Sequence, residues 1–130
     1  MKATVSWQQD LKFSCETDTG HTLELDGNGT TMTPMESVLL SVGACSSIDV
    51  VDILTKSRKQ VADCVCQLDA TRAEEPPRFF TAIHGHYIVK GEGLTEKNVA
   101  RAVQLSAEKY CSVMLMLAGN VEITTSYEIA

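Results

Sequence analysis

The side chains best equipped for chemistry in this chain are its thiols and imidazoles: Cys15, Cys45, Cys64, Cys66 and Cys111, with His21, His84 and His86. Thiols offer three chemistries, namely metal ligation, nucleophilic attack beside a histidine, and reversible oxidation. Cys64-Val65-Cys66 and His84-Gly85-His86 lie on two segments that read as a hairpin, and two thiolates with two imidazoles would suit tetrahedral zinc. Strand alternation argues against that set. Cys64 and Cys66 share the apolar face of their strand, whereas the apolar face of the return strand is odd-numbered and excludes His84 and His86. No metal is therefore expected. No strand–turn–helix nucleophile motif pairs a cysteine with a histidine. Cys45 and Cys111 are a third candidate, as a redox pair, each placed in or beside an apolar helical run. Cys111 follows one helix and starts the next, where the positive end of the helix dipole favours a thiolate. Cys45 lies mid-helix without such help, and Asp49 one turn later opposes its ionisation if it faces the same space. On the residues alone, Cys45 reads better as a small core hydrophobe than as a reactive thiol.

The element that must carry Cys45 opens with a helix signal. Thr33 is an N-cap, Pro34 suits the first turn, and Glu36 completes a capping box. From Val38 to Leu54 the apolar residues cover most of the cylinder, so a long helix buried on nearly all sides is expected over 34–57. Before it, 3–7, 12–16 and 22–25 read as strands separated by turn residues. After it, 61–71 alternates with Ala62, Cys64, Cys66, Leu68 and Ala70 inward, and Glu74-Glu75-Pro76-Pro77 forms the connection. The return strand, 78–90, carries Phe79, Ile83, Tyr87 and Val89 on one face. A second amphipathic helix over 95–110 buries Val99, Ala102, Val103, Ser106, Ala107 and Tyr110. A short apolar run follows Cys111, and 121–129 alternates as a last strand. The grouping of strands points to an α+β fold with antiparallel sheets, in one domain spanning 1–130.

Composition narrows the partners. A net charge of −6 and a pI near 4.9 argue against nucleic acid and anionic membranes. Met1–Asp10 lacks the pattern of a secretory leader, and no unbroken apolar run reaches the ~18 residues of a membrane span. The odd cysteine count fits a reducing compartment rather than a disulfide framework, so a cytoplasmic protein is expected.

Gly43-Ala44-Cys45, eleven residues after Pro34, with the later Tyr110-Cys111-Ser112-Val113, resembles the OsmC/Ohr family. The wider wording, Thr33-Pro34-Met35-Glu36 ahead of Cys45-Ser46-Ser47-Ile48-Asp49-Val50-Val51, is most similar to its YhfA-like subgroup. That resemblance implies an OsmC-like α+β fold, with two chains intertwined as a homodimer around the long helices. It implies thiol-dependent reduction of organic hydroperoxides, with Cys45 attacking, Cys111 resolving and a dithiol reductant restoring both, and no cofactor. One departure stands out. The family places Glu directly after the motif proline and an Arg in the N-terminal region; here Met35 follows Pro34 and no Arg precedes Arg58. Glu36 is one residue on, rotated by roughly 100° around the helix. The alternative on the same scaffold is a non-catalytic redox sensor or a binding protein for a small apolar ligand. The roles of Cys15, Cys64, Cys66, His84 and His86 are left open by the sequence.

Overall fold

A computed structural model describes all residues from Met1 to Ala130. The elements run β1 Ala3–Gln9, β2 Lys12–Thr17, β3 Thr22–Asp26, α1 Pro34–Lys56, β4 Gln60–Arg72, β5 Phe80–Glu92, α2 Glu96–Leu105, a π-helical turn Ser106–Tyr110, α3 Ser112–Leu117 and β6 Glu122–Ile129. The class is α+β, with two three-stranded sheets. The chain divides into two compact units, Met1–Leu40 and Ser41–Ala130, and α1 begins in the first and continues in the second.

In the first unit β1, β2 and β3 form an antiparallel meander. Val5, Leu11, Phe13, Cys15 and Leu25 line an open apolar groove of about 410 Å³. Asp26 is buried at the end of β3 and accepts backbone N–H bonds from Asn28 at 2.8 Å and Thr30 at 3.3 Å, with the Thr30 hydroxyl also bonded to it. Those bonds shape the loop that leads into α1, and they hold the Asp26 carboxyl below its ordinary range. The helix then starts as the capping box requires. The Glu36 N–H donates to Thr33 Oγ1 at 3.2 Å, and the Thr33 N–H donates back to Glu36 Oε1 at 2.9 Å. The Glu36 carboxylate is thus committed to the cap, which keeps it ionised to lower pH than usual.

In the second unit the sheet order is β4-β5-β6. The β4–β5 hairpin is antiparallel, but β5 and β6 run parallel, so this sheet is mixed rather than antiparallel throughout. The cause is the connection: α2, the π turn and α3 lie between the two strands and carry the chain back to the sheet edge where β5 began. Val50 and Leu54 of α1, Tyr87 and Val89 of β5, and Val99, Ala102 and Val103 of α2 make the core, with Cys64, Cys66, Tyr127 and Ile129 packed against it.

Three local expectations need correction. The inward set on β4 begins at Val61 rather than Ala62, because a bulge between Val61 and Asp63 shifts the alternation. Likewise Phe79 precedes β5 and is exposed while Phe80 is buried; the Phe79 carbonyl closes the hairpin loop by accepting from the Ala73 N–H at 2.9 Å, and a second irregularity at Arg72 changes the parity. Finally, the second α-helix stops at Leu105, and its last turn widens into the π-helical segment, which leaves Tyr110 exposed. At 23 residues α1 is long and apolar enough to cross a bilayer by length and composition. Its buried stripe, Val42, Ser46, Val50 and Leu54 at four-residue spacing, instead belongs to the core of the second unit. Burial follows that stripe and not the whole cylinder: Ile48 on the other side is 68% exposed.

Candidate functional site

Cys45 sits one residue before the buried stripe of α1 and is half-buried. Gly43 explains how the helix reaches this depth. A Cβ there would lie 2.7 Å from Leu68 Cδ1 on β4, so the glycine lets α1 pack against the sheet without displacing that side-chain end. The next residues carry polar groups into an apolar setting, and each has a partner. Ser46 is fully buried; its hydroxyl donates to the Val42 carbonyl at 2.7 Å and accepts from the Tyr87 hydroxyl at 2.5 Å. Ser47 is hydrogen-bonded with the thiols of Cys64 and Cys66. Ser106 Oγ, from the π turn, lies 3.1 Å from the Ser46 carbonyl and 3.0 Å from Asp49 Oδ2. α1 is therefore tied on one side to the sheet and on the other to the segment that leads into Cys111.

That segment delivers the second thiol. The π turn closes with the Cys111 N–H donating to the Ser106 carbonyl at 2.8 Å, a wider turn than an α-helix makes. Cys111 then caps α3, its sulfur accepting the Met114 N–H at 3.4 Å. The sulfur is completely buried and is hydrogen-bonded with the Cys45 thiol. The two cysteines separated by most of the second unit's sequence thus meet within one chain, and both are free thiols.

The electrostatics of Cys111 differ from the expectation drawn from its place at a helix start. The N–H groups of Met114 and Val113 do favour its thiolate, but burial outweighs them, and the neighbouring Cys45 pushes the same way. The Cys111 thiol is raised from 9.0 to about 11 and stays protonated at neutral pH. Burial also pushes up Cys64 and Cys66, and it raises the Tyr87 hydroxyl far above its ordinary value.

The remaining candidates are not gathered here. Cys64 and Cys66 face the core, and Tyr87 also hydrogen-bonds with Cys66. His84 and His86 bond to side chains of β6 on the opposite face of β5, so thiols and imidazoles are separated by the sheet, as the alternation argued. Cys15 belongs to the groove of the first unit. Arg72 and Arg78 both serve the hairpin loop, donating from Nε to the Arg78 and Ala73 carbonyls at 2.8 and 3.2 Å. Sequence reasoning did not single out Ser46, Tyr87 or Ser106. The available signal was Ser46-Ser47 inside a helix otherwise made of apolar residues, since a hydroxyl buried there demands a partner from elsewhere.

Comparison with known proteins agrees with this architecture. Residues 27–126 match the family model described as OsmC-like protein. The protein YhfA of Escherichia coli K12 is 52% identical over 131 residues, covering 99% of this chain and 98% of YhfA. A crystal structure of a hypothetical protein from Aquifex aeolicus VF5 superposes with a TM-score of 0.90 at 32% identity, covering 99% of this chain and 95% of that one. The organic hydroperoxide resistance protein OhrB of Bacillus subtilis shares the fold at a TM-score of 0.64 and 16% identity, with 98% of each chain covered. A family match over residues 27–126, together with a relative half identical from end to end, makes this chain a member of the OsmC-like family.

Proposed function

We propose that the protein reduces organic hydroperoxides through Cys45 and Cys111. The observation that carries this reading is the hydrogen-bonded pair of free thiols, one half-buried and reachable, the other fully buried. The reachable thiol suits attack. Cys45, as thiolate, attacks the outer peroxide oxygen; the O–O bond breaks, the alkoxide leaves and takes a proton to become an alcohol, and Cys45 becomes a sulfenic acid. Cys111 then attacks the Cys45 sulfur. The S–S bond forms as the S–O bond breaks, and the proton Cys111 has kept goes to the departing hydroxide, giving water. A dithiol reduces the resulting disulfide and returns both thiols. The presence of organic hydroperoxide resistance proteins among the structural relatives supports the substrate class. The commitment of Glu36 to Thr33 supports slow rather than fast turnover, because no carboxylate–arginine pair is left to activate Cys45.

The reading includes a homodimer in a reducing cytoplasm. Ala44, Ser47, Ile48, Val51, Asp52, Thr55 and Cys64 border an open groove of about 480 Å³ with an apolar centre at Ala44, Ile48 and Val51, and a second copy of α1 is the partner we assign to it. Sedimentation showing a stable monomer of 14.1 kDa would remove that part.

The test of the chemistry is direct. Reduced protein receives one equivalent of cumene hydroperoxide and is digested under acid for mass spectrometry. The expected product is a Cys45–Cys111 disulfide, with peroxide consumption in the presence of dithiol abolished by Cys45→Ser. Survival of both thiols while Cys15 or Cys64 oxidises would refute the assignment.

A further inference from the structure

His84 and His86 project from the face of β5 opposite the core, beside β6, where the parallel register sets His84 against Thr124 and His86 against Ser126. Their ring nitrogens are arranged in a definite order. His84 Nδ1 is 2.6 Å from Thr124 Oγ1, and His86 Nε2 is 3.1 Å from Glu128 Oε1. The two remaining nitrogens, His84 Nε2 and His86 Nδ1, lie 2.8 Å and 2.6 Å from a single atom, Ser126 Oγ. One nitrogen of each ring is thus held from outside, and the other is aimed at a common point.

A metal-binding histidine pair has this arrangement when both outer ring nitrogens carry the proton. An imidazole ligand gives its free N–H to a carboxylate or other oxygen, which fixes the tautomer and turns the second nitrogen's lone pair inward. Glu128 does this for His86 and Thr124 can do it for His84. With both lone pairs inward, Ser126 has one proton and can satisfy only one of them. The other nitrogen then faces an oxygen lone pair. In that pair of tautomers, a cation beside Ser126 Oγ, within reach of both nitrogens, removes the conflict.

We propose that His84 and His86 form a binding site for a divalent transition-metal ion such as Zn²⁺ or Ni²⁺, with Ser126 and water completing its coordination. Imidazole nitrogen selects these ions over Mg²⁺ and Ca²⁺, which prefer oxygen. No three His, Cys, Asp or Glu side chains are placed to hold a metal ion together. The site is therefore a two-imidazole chelate of exchangeable metal on an open sheet face, not a closed structural centre. It uses none of the thiols and does not depend on the peroxidase reading.

The experiment is calorimetric titration of the EDTA-stripped, reduced full chain with NiCl₂. Wild-type protein should bind one Ni²⁺ per chain, with at least tenfold weaker binding in His84→Gln and in His86→Gln, and about tenfold weaker binding in Glu128→Gln. Cys45→Ser and Cys64→Ser should bind as wild type does. Ni²⁺ should also raise the melting temperature of wild type but not of either histidine variant, a comparison each folded variant provides for itself. Absence of binding to wild type, binding undiminished in His84→Gln/His86→Gln, or loss of binding in Cys64→Ser would each overturn the proposal.

Discussion

Replacing Cys111 by alanine should destabilise the protein at neutral pH and become nearly harmless at pH 10. At pH 7 the substitution empties a fully buried site and removes the bonds of the sulfur to Met114 and Cys45, a loss of about 1–2 kcal/mol. The pH dependence follows from the thiol being raised from 9.0 to about 11 in the folded chain. Below pH 9 both folded and unfolded chains carry the proton, and the stabilisation is complete. Between pH 9 and 11 the unfolded chain releases the proton first, so it binds fewer protons than the native state and stability falls as pH rises. For those two values the loss is about 1 kcal/mol at pH 10 and about 3 kcal/mol well above pH 11. Cys64, Cys66 and Tyr87 are also pushed up and contribute alkaline losses of their own; they remain in the variant and cancel in the difference, apart from the smallest part of the Tyr87 shift, which comes from Cys111. Urea unfolding of wild type and Cys111→Ala at pH 7, 8, 9 and 10, with thiols kept reduced, measures that difference directly. The gap should close by about 1 kcal/mol between pH 7 and pH 10. A gap that stays constant or widens would show that burial does not hold the Cys111 proton, and the sequence of proton transfers proposed for the resolving step would fall with it.

Two further substitutions probe the scaffold around the thiols. Tyr87→Phe removes the 2.5 Å bond to Ser46 but leaves the Ser46 hydroxyl donating to Val42, so the expected loss is about 1 kcal/mol in urea unfolding; an unchanged midpoint would mean that this bond contributes nothing net. Gly91→Ala places a Cβ 1.9 Å from the Gln60 carbonyl oxygen, where main chain and not a flexible side chain must yield. A loss of at least about 2–3 kcal/mol is expected, and a variant melting like wild type would contradict the β4–β5 register at the bulge.

What could be read from the chain alone was decided within a few residues. Thr33 and Glu36 cap α1 because both bonds close inside one turn. Val99, Ala102 and Val103 face inward because a 3.6-residue period leaves an amphipathic helix one apolar side. Alternation placed Cys64 and Cys66 on one face and His84 and His86 on the other, since register in a strand pair cannot slip without exposing the core. The thiols at Cys45 and Cys111 were recognisable by motif, but their meeting was not. It depends on a π turn, and on a parallel β5–β6 pairing and the bonds of Ser106 and Tyr87 that join residues far apart in sequence. The same holds for the bulges that exchanged Ala62 for Val61 and Phe79 for Phe80, because an unpaired residue in a ladder is visible only against its partner strand. The proton on Cys111 is the sharpest case. Local structure at the start of α3 favours the thiolate, and only burial, a property of the assembled fold, reverses it.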